Sequence, residues 1–277
     1  AGGQADGHEL VRQRAAEAAG LGCDFPRGPG GSPEAWPPRG PAVLTNLTGG
    51  WRALHDWGRE AFLRDLGAWR APLSTFLRDP WLRFVGRGGA LLPGPVDVAF
   101  GDYLSVPGAS RRNVFLFLRH EASAGAAAAA ATGRRAQRRR FFEAIGEAYR
   151  APSGFEQALR IFAMDGLATG HGMHFHKEAW LAQVAGRKVW WVAPPQPGGG
   201  RPPAAAGQHP AFPYKALSAE EGSWPCAWLL REDLVPKGAP VSRCLQRPGE
   251  VVALPAGWWH ATCSLDDFNV AVGGQGL

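Results

Sequence analysis

Arg247-Pro-Gly-Glu-Val-Val-Ala-Leu-Pro-Ala-Gly-Trp-Trp-His260 is the stretch on which the fold turns. A Pro-Gly pair, a short apolar run, a Pro-Ala-Gly turn and an aromatic pair leave no room for a helix. The segment reads as strand, tight turn, strand, with His260 fixed where the second strand begins. Working outward, the same alternation recurs. Leu159 to Met164, His174 to His176, Trp180 to Ala185, Lys188 to Ala193, Cys244 to Leu245, Glu250 to Leu254, Trp259 to Cys263 and Asn269 to Val272 are short candidate strands between Gly/Pro turns. Many short strands at such spacing mean a sandwich or barrel. The Pro- and Gly-rich stretch 194–240 interrupts them and reads as a long loop insertion that shapes the entrance of a site, together with the segment Asp79 to Gly101.

The first part of the chain is more mixed. Glu9 to Ala19 reads as a short helix, and residues 23–40 as an irregular Pro/Gly lead-in. Pro41 to Thr45 reads as a strand, Arg59 to Leu66 as a helix stopped by Gly67, and Trp69 to Phe76 as a strand. Phe100 to Leu104 suits a helix, and Asn113 to Leu118 a strand. In Phe141 to Tyr149 the residues Phe142, Ile145 and Tyr149 share one helical face. The expected domains are a lead-in over 1–40 and one domain over 41–277. The tryptophans Trp51, Trp57, Trp190, Trp191, Trp258 and Trp259 read as core or rim packing rather than a substrate cage.

The histidines carry the chemistry. Of eight, His171, His174 and His176 are clustered. On a strand, residues two apart share a face, so His174 and His176 can chelate one ion. A His-x-His pair alone is a weak signal. His260, held after a tight turn on a distant strand, supplies a third imidazole and leaves positions open for water, substrate or O2. Imidazole suits Fe, Zn, Cu and Ni alike. A Lys inside the apolar run Lys188-Val-Trp-Trp-Val-Ala193 is expensive to bury unless an anion meets it; otherwise it sits at a strand end and reaches water.

Met173-His-Phe-His176, Leu181-Ala-Gln-Val-Ala-Gly-Arg-Lys188-Val-Trp-Trp-Val-Ala-Pro-Pro195 and the 247–260 stretch, in this order, resemble the JmjC (jumonji-C, cupin-like) Fe(II)/2-oxoglutarate oxygenases. The likeness extends over about 41–277. Within the family the chain looks most like the jumonji domain-containing protein 8 type, which also carries His-x-His where most relatives carry His-x-Asp or His-x-Glu. The resemblance implies a mainly β fold, a double-stranded β-helix (cupin jelly roll) with flanking helices. It implies Fe(II) on His174, His176 and His260, with 2-oxoglutarate as cosubstrate and Lys188 pairing with its distal carboxylate. Where the family often carries a Thr just upstream of the first ligand, this chain has His171, with Thr169 nearby. A cosubstrate-holding Asn has no evident counterpart near residues 179–181. Asn269 on the last strand is a candidate for facing the pocket, and a structural role fits it equally. Glu178 replaces the missing carboxylate ligand only if the strand bends there.

Three functions follow as alternatives. One is an oxygenase that hydroxylates or demethylates a protein side chain. The second is a binding or scaffold protein that keeps the fold and metal without turnover. The third is a three-His zinc hydrolase, which lacks an obvious general base.

Bulk properties exclude less. The net charge is +6 and the pI about 9.5, but much of the excess sits in Arg134, Arg135 and Arg138 to Arg140. A solvated basic helix or loop accounts for that run, and no nucleic-acid motif supports a polyanion patch. No apolar run is long enough to span a membrane. Cys23, Cys226, Cys244 and Cys263 match no zinc spacing. Cys226 and Cys244 can pair in an oxidising compartment, and free thiols are as good an account. Asn46-Leu47-Thr48 is a glycosylation sequon if the chain is luminal. The nearest family type implies the endoplasmic reticulum lumen or secretory pathway, against nucleus or cytoplasm. The chain opens at Ala1 without Met or hydrophobic leader, as a processed form or a start within a longer chain would.

Overall fold

The computed structural model describes residues 20–30, 39–72, 97–105, 114–119, 133–155, 158–167, 169–171, 174–195, 226 and 240–276, with isolated positions 13 and 17. The strands are β1 (Arg27–Pro29), β2 (Ala42–Thr45), β3 (Arg70–Pro72), β4 (Asp97–Ala99), β5 (Val114–Arg119), β6 (Leu159–Asp165), β7 (Ala179–Ala185), β8 (Lys188–Ala193), β9 (Ser242–Gln246), β10 (Val251–Leu254), β11 (Trp259–Ser264) and β12 (Asn269–Gln275). The helices are α1 (Ala53–Asp56), α2 (Arg59–Leu66), α3 (Phe100–Ser105) and α4 (Gly133–Ile145).

Seven strands form the major sheet in the order β1-β2-β10-β7-β12-β6-β5, and three form the minor sheet, β11-β8-β9. β3 and β4 make a separate ribbon. Every pairing in the two larger sheets is antiparallel except β1 with β2. This is the jelly-roll arrangement of the expected double-stranded β-helix, with sheets that do not close on one another. Among the described residues, no helix is long and apolar enough to cross a membrane.

The central strands β6, β7, β10 and β12 are buried on both faces, which is why they read as near-continuous apolar runs. Side chains alternate along each strand. Ile161 and Ala163 of β6, Leu181 of β7, Val252 and Leu254 of β10 and Ala271 of β12 belong to the core shared with Trp190 and Val192 of β8. Phe162, Met164, Trp180, Ala182, Val251, Val270 and Val272 belong to the other core, beneath the helices. There Phe62 of α2 stacks on Phe162 at 6.2 Å between ring centres, and Phe141 of α4 meets Phe162 edge-on at 4.8 Å. Each such ring contributes about 1.5–3 kcal/mol by leaving water. The helices thus seal one face of the sheet, and the other is left to form a site. Trp51 and Trp57 sit in the helix-side core, and Trp190, Trp191 and Trp259 are buried, as packing residues should be.

Several expectations change. The lead-in is not wholly irregular: β1 pairs with β2, and Asp24 N–H donates to Arg243 O at 2.8 Å. An edge strand tolerates Pro26 just before it and Pro29 as its last residue, because one row of its backbone groups needs no ladder partner. The last helix begins at Gly133 rather than Phe141 and takes in the arginine run, since Arg, Ala and Gln are good helix formers. Tyr149 lies beyond its end yet is buried with Phe142 and Ile145.

The cysteine pairing is Cys23–Cys244 and Cys226–Cys263, which overturns both the Cys226–Cys244 bridge and the free thiols. Cys23 and Cys244 are opposite each other in an isolated β-bridge, a relation between the lead-in and β9 that spacing along the chain does not encode. Most of the Glu9 to Ala19 helix, most of the 194–240 insertion and residues 79–96 of the entrance segment lie outside the described residues.

Candidate metal centre

His174, His176 and His260 come together. Their candidate ligand nitrogens all lie within 4.8 Å of one another. Ring centres are 4.1 Å apart for His174 and His260, 4.6 Å for His176 and His260, and 5.5 Å for His174 and His176. The backbone fixes this arrangement. His174 N–H donates to His260 O at 3.0 Å, and His260 N–H returns to His174 O at 2.7 Å. Gly257 N–H donates to His176 O at 2.8 Å, so the Pro-Ala-Gly turn clamps the second ligand beside the third. The expected strand over His174 to His176 is reduced to this single bridge, and His176 follows in irregular backbone.

The same segment runs along β11 upstream of His174. Thr262 N–H donates to His171 O at 2.9 Å, and Ser264 N–H to Thr169 O at 2.7 Å. Gly170 permits this contact, because a Cβ there would lie 1.9 Å from Thr262 O.

The ring tautomers follow from the partners. His260 Nδ1 lies 3.0 Å from Trp258 O, and His176 Nδ1 lies 2.6 Å from Lys177 O. A carbonyl only accepts, so both Nδ1 atoms carry the proton and both Nε2 lone pairs are free to bind a metal. Burial pulls His260 well below its ordinary pKa, and the neighbouring His174 and His176 add to it. Burial also lowers His176, against the Lys177 carbonyl and Glu178, which raise it. Neutral imidazole is the metal-binding form. Three borderline nitrogen donors on one side, with no fourth ligand among the described residues, fit a divalent transition metal with open positions. Glu178 is not part of this group.

The centre opens on a cavity of about 410 Å³ between the two sheets. Leu159, Ile161, Leu181, Val252 and Leu254 make its apolar wall, and His171, Lys188, Trp190 and Thr262 the other side. His171 lines the cavity with its ring 5.6 Å from that of His174. Burial holds His171 well below its usual pKa, helped by His174, Lys188 and His176. Phe175, exposed between two ligands, packs on Trp259 at 4.7 Å.

Lys188 does not reach solvent. It is buried, and the anion that meets it belongs to the protein: Nζ donates to Asp165 Oδ2 at 3.0 Å. Ser264 Oγ donates to the other oxygen, Oδ1, at 2.5 Å. Sequence reasoning anticipated an anion and missed this one. Period-two alternation holds the signal: 161, 163 and 165 share a face of β6, and 260, 262 and 264 share a face of β11. Gln246 was missed as well. It is buried between the sheets, accepts Trp190 Nε1–H at 2.8 Å and donates to Leu181 O at 2.7 Å and Glu250 O at 2.9 Å.

The two remaining candidates do not join the cavity lining. Thr169 turns its hydroxyl onto Gly166, donating to its carbonyl at 2.7 Å and accepting its N–H at 3.1 Å. Asn269 donates from Nδ2 to Asp266 O at 2.5 Å and packs against Gly186, where a Cβ would meet its Oδ1 at 2.2 Å. Both shape turns.

Comparison with known proteins finds one family over this region. The family model described as "JmjC domain, hydroxylase" matches residues 170–273. JmjC domain-containing protein 8 of Homo sapiens is 32% identical over 109 residues, 38% of this chain and 33% of that protein. The 2-oxoglutarate and iron-dependent oxygenase JMJD4 of Mus musculus is 33% identical over 101 residues, 35% and 21% of the two chains. The bifunctional arginine demethylase and lysyl-hydroxylase psr-1 of Caenorhabditis briggsae is 27% identical over 158 residues, 48% and 36%. The chain therefore spans about a third or less of the length of the first of these relatives. The matched segment holds all three imidazoles, Lys188 and the two strands that position them, so the likeness to a JmjC domain falls on the centre itself.

Proposed function

We propose that the chain is a non-haem Fe(II)- and 2-oxoglutarate-dependent oxygenase of the JmjC type, acting on a protein side chain. The observation that carries the reading is the three-imidazole cluster opening on a cavity with a cationic side chain inside it. His174, His176 and His260 would hold the iron, which supplies the oxidising chemistry. The chain itself does the rest. Carbonyls of Trp258 and Lys177 keep two rings in the binding tautomer. The apolar wall excludes water, and Lys188 and His171 face the cosubstrate. Thr169 and Asn269 act on it only through the turns they hold. A protein substrate fits a centre at the edge of the sheets, with Phe175 exposed beside it. Relatives named as oxygenase, demethylase and lysyl-hydroxylase support the class.

Anaerobic loading with Fe(II), followed by metal analysis and assay of succinate release from 2-oxoglutarate, tests this. One equivalent of iron with succinate is expected, and loss of both in His174→Ala. Zinc retained in place of iron, with no succinate, would overturn it. One observation favours the second reading, a metal-holding binding protein without turnover: Lys188 is already paired with Asp165. Bound iron without succinate release would establish that reading.

We further infer a luminal or secretory location. Two disulfides that use all four cysteines need an oxidising compartment. Asn46 of the sequon is exposed in a positive-φ turn, while Thr48 is buried and donates to Gly249 O at 2.6 Å. A glycan would therefore be added before β2 and its neighbours dock. A mobility shift with a glycosidase and the absence of free thiols in protein from secretory cells would support this, and four free thiols would refute it.

A further inference from the structure

The two ends of the cavity offer unlike charges to a ligand. At one end stand three imidazoles that are neutral when they ligate, so a divalent ion there keeps its full charge for the head of an incoming acid. At the other end the positive charge of Lys188 is already matched. Asp165 Oδ2 takes the ammonium at 3.0 Å, and Ser264 occupies the second carboxylate oxygen at 2.5 Å. Both partners of the pair are 1% exposed. A second carboxylate brought to Lys188 would lose its water, meet a pair of zero net charge, and lie across one ammonium from a like charge. The neighbouring wall of Leu159, Ile161, Leu181, Val252 and Leu254 rewards a hydrocarbon tail instead.

We propose that Asp165 determines cosubstrate specificity. By neutralising Lys188 it removes the selection for a distal carboxylate, so the centre takes 2-oxo acids with uncharged tails about as readily as 2-oxoglutarate. The inference rests on the cosubstrate reading above. Asp165 acts through Lys188 and is a positioning residue.

Binding, without turnover, tests it. The full chain loaded with Mn(II) is titrated calorimetrically with 2-oxoglutarate and with 2-oxopentanoate, which lacks the distal carboxylate. Dissociation constants within about threefold of each other are expected for the wild type. Asp165→Asn keeps the acceptor for Lys188 and frees its charge. It is expected to bind 2-oxoglutarate about tenfold tighter and 2-oxopentanoate unchanged, whereas a merely structural role would move both together. If the variant does not fold, the wild-type ratio decides: a preference for 2-oxoglutarate beyond about thirtyfold overturns the inference and leaves the cosubstrate reading standing. Equal change for both acids in the variant, or none, also overturns it. Binding of neither acid to the metal-loaded wild type sinks the inference and the cosubstrate reading together.

Discussion

The metal end and the far end of the cavity are built on opposite principles. His174 and His176 stand half-buried in irregular backbone, clamped by main-chain bonds to β11 and its turn. Lys188, Asp165 and Ser264 stand fully buried on regular strands, clamped by their own side chains. The first arrangement keeps lone pairs available and costs little stability if lost. The second consumes its charges internally, and each member depends on the others. One end is made to bind, the other to hold the sheets together.

Removing a member from each end should break the comparison most clearly. His260→Ala leaves two imidazoles, and stoichiometric metal should be lost, with affinity reduced more than about a hundredfold, because even outer-shell changes cost 10–100-fold. Metal analysis after gel filtration reads this, and the apo fold should survive. Asp165→Ala strands a buried ammonium and should destabilise the protein by about 3–5 kcal/mol, seen as a lower denaturation midpoint in urea. The double replacement Asp165→Leu with Lys188→Met should recover most of that loss, since a buried pair is often worth little against apolar groups of like volume.

A smaller effect sharpens the contrast between side-chain and main-chain clamping. Trp190→Phe deletes the bond to Gln246 Oε1 and should cost about 1–3 kcal/mol for the acceptor left in the core. The smallest effect is one of pH. Folding lowers the pKa values of His260, His171 and His176, so below about 6.5 the unfolded chain binds protons that the folded chain resists. Stability of the apo protein is complete above that pH and is expected to fall as pH drops through the window below it. Thermal unfolding with and without Mn(II) measures this; a bound ion keeps the folded imidazoles unprotonated, so it should raise stability without flattening the dependence.

Much of this was legible in advance. Among the described residues, every strand from β6 to β12 lies near its expected place, because apolar runs bounded by Gly and Pro are local signals. His260 was identifiable from its turn, and His174 with His176 from their spacing. The pairing of Cys23 with Cys244 was not legible, since it joins a lead-in without periodicity to a strand 221 residues away. β1 escapes for a related reason: an edge strand of three residues that follows one Pro and ends on another carries no strand pattern. Thr169 and Asn269 look like pocket residues until the turns that bind their side chains are known.

The sequence by itself determined which side chains alternate inward and which three imidazoles are candidates to ligate, because both depend on spacing along one strand and one turn. Only the tertiary structure decided what Lys188 is for. Its charge finds Asp165 across 23 residues, where the end of β6 meets β8 and β11. A buried cation declares that an anion is needed, but the identity of that anion is settled when the sheets pack.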